Sequence, residues 1–155
     1  MNAIELLKQD HVRIKDLLGR LTESTERAVK LRTELLEKIE QELTAHTRIE
    51  EEVLYPALRK EGDKEEAKMA YEAKEEHRAV DSLVLPDLKK TEVGSLEFSG
   101  RAKVLKELLE HHIEEEESDM FPTCEKLFDQ ARLDEMGQQM ADIRKGMKKE
   151  LKKAS

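Results

Sequence analysis

Apolar side chains recur along most of this chain at alternating steps of three and four, the spacing that gathers them on one face of an α-helix. Ile4, Leu7, Ile14, Leu18 and Leu21 form the first such stripe, and His11 fills its one gap. A second stripe reads Leu36, Ile39, Leu43, His46, Glu50, Leu54; a third reads Ala70, Ala73, His77, Val80, Val84; a fourth reads Leu105, Leu109, His112, Glu116, Met120. Each predicts a helix, and each carries polar residues where a core-facing side chain belongs. Breaks fall where a bundle needs them: Thr22 to Lys30 is polar, Gly62 and Asp63 follow the second helix, and Thr91 to Gly100 carries Gly and Ser, with Ser95 placed to cap the fourth helix. Pro56, Pro86 and Pro122 lack a backbone N–H and are expected to bend or end their helices. For Pro56 and Pro122 the disruption is expected six residues past Glu50 and Glu116, more than one turn beyond them. After Phe128 a further stripe of Leu133, Met136, Met140, Ile143, Met147 and Leu151 predicts a fifth helix packed on the same domain, its basic end (Lys148, Lys149, Lys152, Lys153) complementing a helix C-terminus.

The polar residues in these stripes repeat. His11, His46 and Glu50 reappear 66 residues later as His77, His112 and Glu116. Pro56 and Pro122 set that offset independently, because each closes a segment of the form His-x-x-x-Glu…aromatic-Pro. With 5 histidines in 155 residues, meeting histidine at both 77 and 112 by accident has a probability on the order of 1 in 1000. A spacing of four stacks His46 with Glu50, and His112 with Glu116, on one helical face. Buried polar groups without partners cost several kcal/mol in unfavourable cases, and six in one core need a common solution. Bound cations supply it, with His11, His46, Glu50, His77, His112 and Glu116 as the candidate metal ligands. Two imidazoles for each of two metals, with the glutamates bridging, uses all six; a single tetrahedral zinc is overfilled by them. His111 is about 100° around the helix from His112, off that face, and its pairing with Glu115 breaks the 66-residue register.

Composition agrees and narrows the function. The chain is 41% charged and 3% aromatic, with no Trp, 6 Gly and 3 Pro, which suits long helices: an all-α domain. A net charge of −8 argues against nucleic acid or anionic lipid as a partner. No apolar run approaches the roughly 20 residues that span a bilayer, and the start MNAIELLKQDH has no signal-peptide core, so a cytoplasmic protein without a membrane partner is expected. The single cysteine, Cys124, fits a reducing compartment and reads as a small buried apolar residue, since the repeat places it where Leu58 stands. No phosphate-binding loop or nucleophile constellation is present.

The pattern His11…His46-x-x-x-Glu50…His77…His112-x-x-x-Glu116, with an aromatic-Pro after each glutamate, resembles the haemerythrin-like or HHE cation-binding domains over residues 1 to 130. Ferritin-like bundles differ, with Glu-x-x-His motifs and more carboxylate than imidazole. The resemblance implies an up-down antiparallel four-helix bundle, here with an additional C-terminal helix over 131 to 155. It also implies a non-haem centre of two Fe ions, bridged by carboxylates and an oxo or hydroxo group. Members of the family bind, sense or react with dioxygen, nitric oxide or peroxide. Oxygen carriers of the family have a fifth histidine one turn before the position of His77, where this chain has Ala73, and their last carboxylate is an aspartate one residue beyond Glu116. Reaction with, or sensing of, a small diatomic ligand or peroxide is therefore expected over reversible oxygen carriage. If the protein is an enzyme, the resemblance implies a peroxide- or NO-consuming oxidoreductase. An iron store or donor, or a zinc-binding structural bundle, is the alternative. The chain is expected to act as a monomer or homodimer.

Overall fold

Asn2 begins the first helix by accepting the Glu5 N–H at 2.9 Å, which satisfies one of the donors a helix start leaves free. In the computed structural model, which describes residues 1–154, that helix is α1 (Ala3–Glu23). The chain continues through α2 (Val29–Ile49) and α3 (Tyr55–Glu61), α4 (Lys64–Ala79) and α5 (Leu85–Lys90), α6 (Leu96–Glu115) and α7 (Phe121–Leu127), and α8 (Gln130–Ala154). The described residues form an all-helical bundle with no strand. Asp63 caps α4 by accepting from Glu65 and Glu66, and Ser95 caps α6 by accepting the Phe98 N–H at 3.1 Å.

The prolines do not end their helices. Each of the pairs α2/α3, α4/α5 and α6/α7 is joined by a five-residue π-helical turn, over Glu50–Leu54, Val80–Val84 and Glu116–Met120. In each turn the residue before the proline donates its N–H five positions back: Tyr55 to Glu50, Leu85 to Val80, Phe121 to Glu116. An extra residue in the turn lets the chain pass a proline that cannot donate. The disruption thus starts at Glu50 and Glu116 themselves, not a turn beyond them as the sequence suggested. It also resets the helix face. In a regular α-helix residues five apart point about 140° apart, whereas here Tyr55 and Phe121 join the buried face that Glu50 and Glu116 occupy.

Two apolar clusters fill the interior. One gathers Leu7, Ile49, Leu54, Leu58, Ala73, Met120, Phe121 and the α8 residues Leu133, Met136 and Met140. The other gathers Ile14, Leu18, Leu35, Ile39, Leu43, Val80, Phe98, Leu105 and Leu109. Along α1, His11 lies between Leu7 of the first and Ile14 of the second; along α2, His46 lies between Leu43 and Ile49. His77 sits likewise between Ala73 and Val80, and Glu116 between Ile113 and Met120. The bundle is therefore two apolar ends with one polar layer between them. Leu36 packs half-buried against the second cluster, and its neighbour Leu35, outside the expected stripe, is the fully buried one.

Two contacts lock the ends. Arg32 is buried, donates to the carbonyls of Ser24, Val93 and Ser95 and to the hydroxyls of Ser24 and Ser99, and lies 5.0 Å over the Phe98 ring. It ties the α1–α2 connection to the loop before α6. At the other end Gly137 lets α8 cross the start of α1, since a Cβ there would come within 2.4 Å of the Met1 carbonyl oxygen. The apolar stripe of α8 is covered through Met140, is half-buried at Ile143 and Met147, and ends exposed at Leu151.

Candidate metal centre

All six residues singled out by the repeat are buried, none more than 6% exposed, and their polar atoms converge on the layer between the apolar clusters. The Nε2 of His46 and of His77 each lie 3.1 Å from Glu50 Oε1. The Nε2 of His11 lies 3.1 Å from Glu116 Oε1, and that of His112 lies 3.4 Å from the same oxygen. His77 and His112 bring their Nε2 atoms within 3.1 Å of each other. Two sets of donors result. His11, His46, Glu50 and Glu116 each offer an atom within 4.8 Å of the others, as do Glu50, His77 and His112, so Glu50 belongs to both.

The inner atoms are short of partners. Among the described residues, His46 Nε2 and both carboxylate oxygens of Glu50 are buried and make no hydrogen bond. Each such atom costs roughly 1–3 kcal/mol, and more when charged. A divalent cation between imidazole and carboxylate donors would satisfy all three at once, and the mixture of nitrogen and oxygen suits iron or zinc. The residues present therefore fit bound metal.

Behind the ring of Nε2 atoms stands a ring of carboxylates that sequence reasoning missed. The Nδ1 of His11 meets Glu117 at 2.6 Å, that of His77 meets Glu51 at 2.9 Å, that of His46 meets Asp10 at 2.9 Å, and that of His112 meets Glu76 at 2.9 Å. A carboxylate on Nδ1 fixes the ring and turns Nε2 inward as the free donor, the usual support of a metal-bound histidine. The signal was in the sequence: Asp10 and Glu76, and Glu51 and Glu117, are themselves 66 apart, each next to a residue of the repeat. Tyr55 was missed as well. Its hydroxyl donates to Glu116 Oε2 at 2.8 Å and lies 3.3 Å from His77 Nε2.

The Hemerythrin HHE cation binding domain model matches residues 2–124. The chain belongs to this family. Over 98% of its length it superposes, with a TM-score of 0.82 and 32% identity, on 93% of a crystal structure of an HHE domain-containing protein, the Rv2633c homologue from Mycobacterium kansasii. It is 33% identical over 147 residues to Rv2633c of Mycobacterium tuberculosis, covering 91% of this chain and 84% of that one. It is also 32% identical over 124 residues to a DNA nickase from Nostoc sp., covering 78% of this chain but only 33% of that protein. The chain thus spans about a third of the length of this last relative.

Without metal, the HHE site holds protons. Burial pulls His46 down, but the nearby Glu50 charge and the hydrogen bond to Asp10 outweigh it and raise His46 to about 10. His112 is raised well above its ordinary value, because the Glu116 charge and carboxylate hydrogen bonds outweigh burial, and His77 is raised for the same kind of reason. Burial works against the Glu50 anion, yet the His46 charge brings it well below the ordinary glutamate value. Burial and the Glu50 and Glu116 charges push the Tyr55 hydroxyl well up, so it stays protonated and donating.

His111 is on the surface, its side chain 66% exposed and paired with Glu115 at 3.0 Å. Ala73 is buried, and beside it lies a cavity of about 180 Å³ with Met69, Glu72, Glu76, Glu116 and Met120 in its wall. A second, apolar crevice of about 100 Å³ reaches His77 and His112 between Leu43, Val80 and Leu109. Cys124 is buried, its thiol pushed up to about 12 by desolvation, an inert packing residue. No helix among the described residues is long and apolar enough to cross a membrane.

Proposed function

We propose that the protein is a non-haem di-iron HHE protein that binds small oxidants, dioxygen, nitric oxide or hydrogen peroxide, and reacts with or senses them. The reading places one iron among His11, His46, Glu50 and Glu116 and the other among Glu50, His77 and His112, with an oxo or hydroxo bridge. The observation that carries it is the set of buried, partnerless atoms on His46 and Glu50. A two-metal site is expected in an up-down antiparallel bundle. In support, α1 and α4 run from the first apolar cluster to the second, while α2 and α6 run back.

Bound iron would supply redox equivalents and Lewis acidity at a buried site. The chain's own residues do the rest. Asp10, Glu51, Glu76 and Glu117 hold the four imidazoles with Nε2 inward. Tyr55 keeps a proton on its hydroxyl against Glu116, on the side where oxygen carriers of the family have a further histidine and this chain has Ala73. The mainly apolar crevice that reaches His77 and His112 suits a small neutral molecule better than an ion. This favours reaction or sensing over carriage.

A second reading, an iron store or donor, is favoured by the cavity beside Ala73. Its wall carries Glu65, Glu72, Glu76, Glu115 and Asp119 against the single cation Lys68, a lining suited to passing a metal cation. The net charge of −8 gives no support to a nucleic-acid role. One experiment separates the readings. Iron-loaded protein is mixed with hydrogen peroxide or nitric oxide and, separately, with a competing ferrous chelator. Sustained oxidant consumption that disappears in His112→Ala supports redox chemistry. Rapid loss of iron to the chelator with no consumption supports the store, and a spectrum that responds to ligand without turnover supports sensing.

A further inference from the structure

We infer that Arg144 of α8 is a positioning residue for the metal centre: through Asp10 it fixes His46, and so makes the His11–His46 position chemically unlike the His77–His112 position. The inference rests on the two-metal reading above. Arg144 donates from Nη1 to Asp10 Oδ1 at 2.7 Å and from Nη2 to Oδ2 at 2.8 Å, a two-pronged contact that sets the carboxylate's plane. Asp10 is fully buried, and its Oδ2 is also the atom that meets His46 Nδ1 at 2.9 Å. The path from the fifth helix to a metal-facing nitrogen is therefore three side chains long, with a direct contact at each step.

The repeat shows why this matters. Glu76 stands 66 residues after Asp10 and meets His112 Nδ1 at the same 2.9 Å. Glu76, however, is half-buried, with His111 and Glu115 close by, and no hydrogen bond or ion pair joins it to an arginine among the described residues. A carboxylate whose two oxygens are engaged by a guanidinium has less charge to lend to an imidazole N–H than one that is not. His46 is consequently the more firmly held and less electron-rich of the two ligands. Arg13 also touches Asp10 Oδ1, and reaches Glu42 at 3.5 Å, so Asp10 keeps a counter-charge when Arg144 is replaced. The fold should survive the substitution.

The test uses the full chain loaded anaerobically with ferrous iron and challenged with a ferrous chelator. A zinc-loaded sample serves for imidazole nitrogen NMR. In Arg144→Met one iron equivalent should leave about tenfold faster or more, the second should leave at the wild-type rate, and the His46 Nδ1 resonance should move while that of His112 stays. Arg144→Lys, which keeps the charge but loses the two-pronged geometry, should fall between. Leu133→Ala loosens α8 one end away from Arg144 and should change neither rate selectively. Equal acceleration of both irons, no acceleration, or the same selective loss in Leu133→Ala would overturn the positioning role. A wild-type chain that takes up fewer than two metals has a different signature: it overturns the two-metal reading, and this inference with it.

Discussion

His11 and His77 hold matching places in the two halves of the centre, yet different aromatic side chains lie against them. Phe121 stacks flat on His11, 5.5 Å between centroids, whereas Tyr55, its counterpart 66 residues earlier, tilts over His77 at 5.4 Å and donates a hydrogen bond from its hydroxyl to Glu116. The outer carboxylates differ in the same way, Asp10 being sealed in and bound by arginine, Glu76 half-buried. What the halves share is the inward ring of Nε2 atoms and the carboxylate on each Nδ1. What they do not share is the polarity and charge just outside it. Shared residues build the cage; unshared ones make its two positions unlike.

The change expected to break both halves at once is Glu50→Ala, because Glu50 is the carboxylate common to both donor sets. Metal analysis should find almost no bound metal, while His77→Ala should keep the metal of the His11–His46 set. Retention of two metals by Glu50→Ala would remove Glu50 from its shared role.

Next in size is a pH effect that separates metal-free from loaded protein. In the metal-free chain His46 is raised from 6.5 to about 10. That contribution to stability is complete below pH 6.5 and is lost as pH rises through about 10. Denaturant melts of the metal-free protein should therefore weaken over this window. In the loaded protein the metal takes the place of the Nε2 proton and the decline should vanish. Parallel declines in both forms would count against metal at His46.

Arg32 and Phe98 are also 66 apart, and here the two halves touch each other. Arg32→Met strands the half-buried carbonyls of Ser24, Val93 and Ser95 and loses the contact over Phe98, and should lower unfolding free energy by roughly 1–3 kcal/mol in a urea titration with metal content unchanged. A change within about 0.5 kcal/mol would mean that the clamp contributes nothing beyond surface level.

The smallest effect belongs to Tyr55→Phe, which makes the first half resemble the second. Loss of one buried donor should cost about 1 kcal/mol and leave two metals bound, with a shifted visible spectrum where Glu116 loses its hydroxyl partner. An unaltered spectrum would place Tyr55 outside the centre's electronic surroundings.

Much of this was legible in the chain before any coordinates. The period of the apolar stripes put His11, His46, His77 and His112 on core faces because helix periodicity is local, and the 66-residue offset separated His112 from the exposed His111. Leu36 packs half-buried on the second cluster as the stripe placed it, but the stripe left out its fully buried neighbour Leu35, because the core-facing stripe is broad near the loose start of that helix. The prolines misled for a different reason. A proline announces a missing donor but not how the backbone absorbs it, and here the answer was a π-helical turn that begins at the glutamate. The outer carboxylates could have been found by applying the offset to every acidic residue beside a histidine or glutamate of the repeat. Arg144 could not. Its contact with Asp10 spans 134 residues and joins a helix outside the repeat, so only the packing of α8 on α1 reveals it.

The claim that two matched sets of donors hold two metals is tested most directly by counting metal in chains loaded with iron, using elemental analysis beside native mass spectrometry. Two irons per chain, accompanied by oxo-to-iron charge-transfer absorption, is the predicted result. One iron per chain, or none after loading with excess ferrous iron, would contradict it.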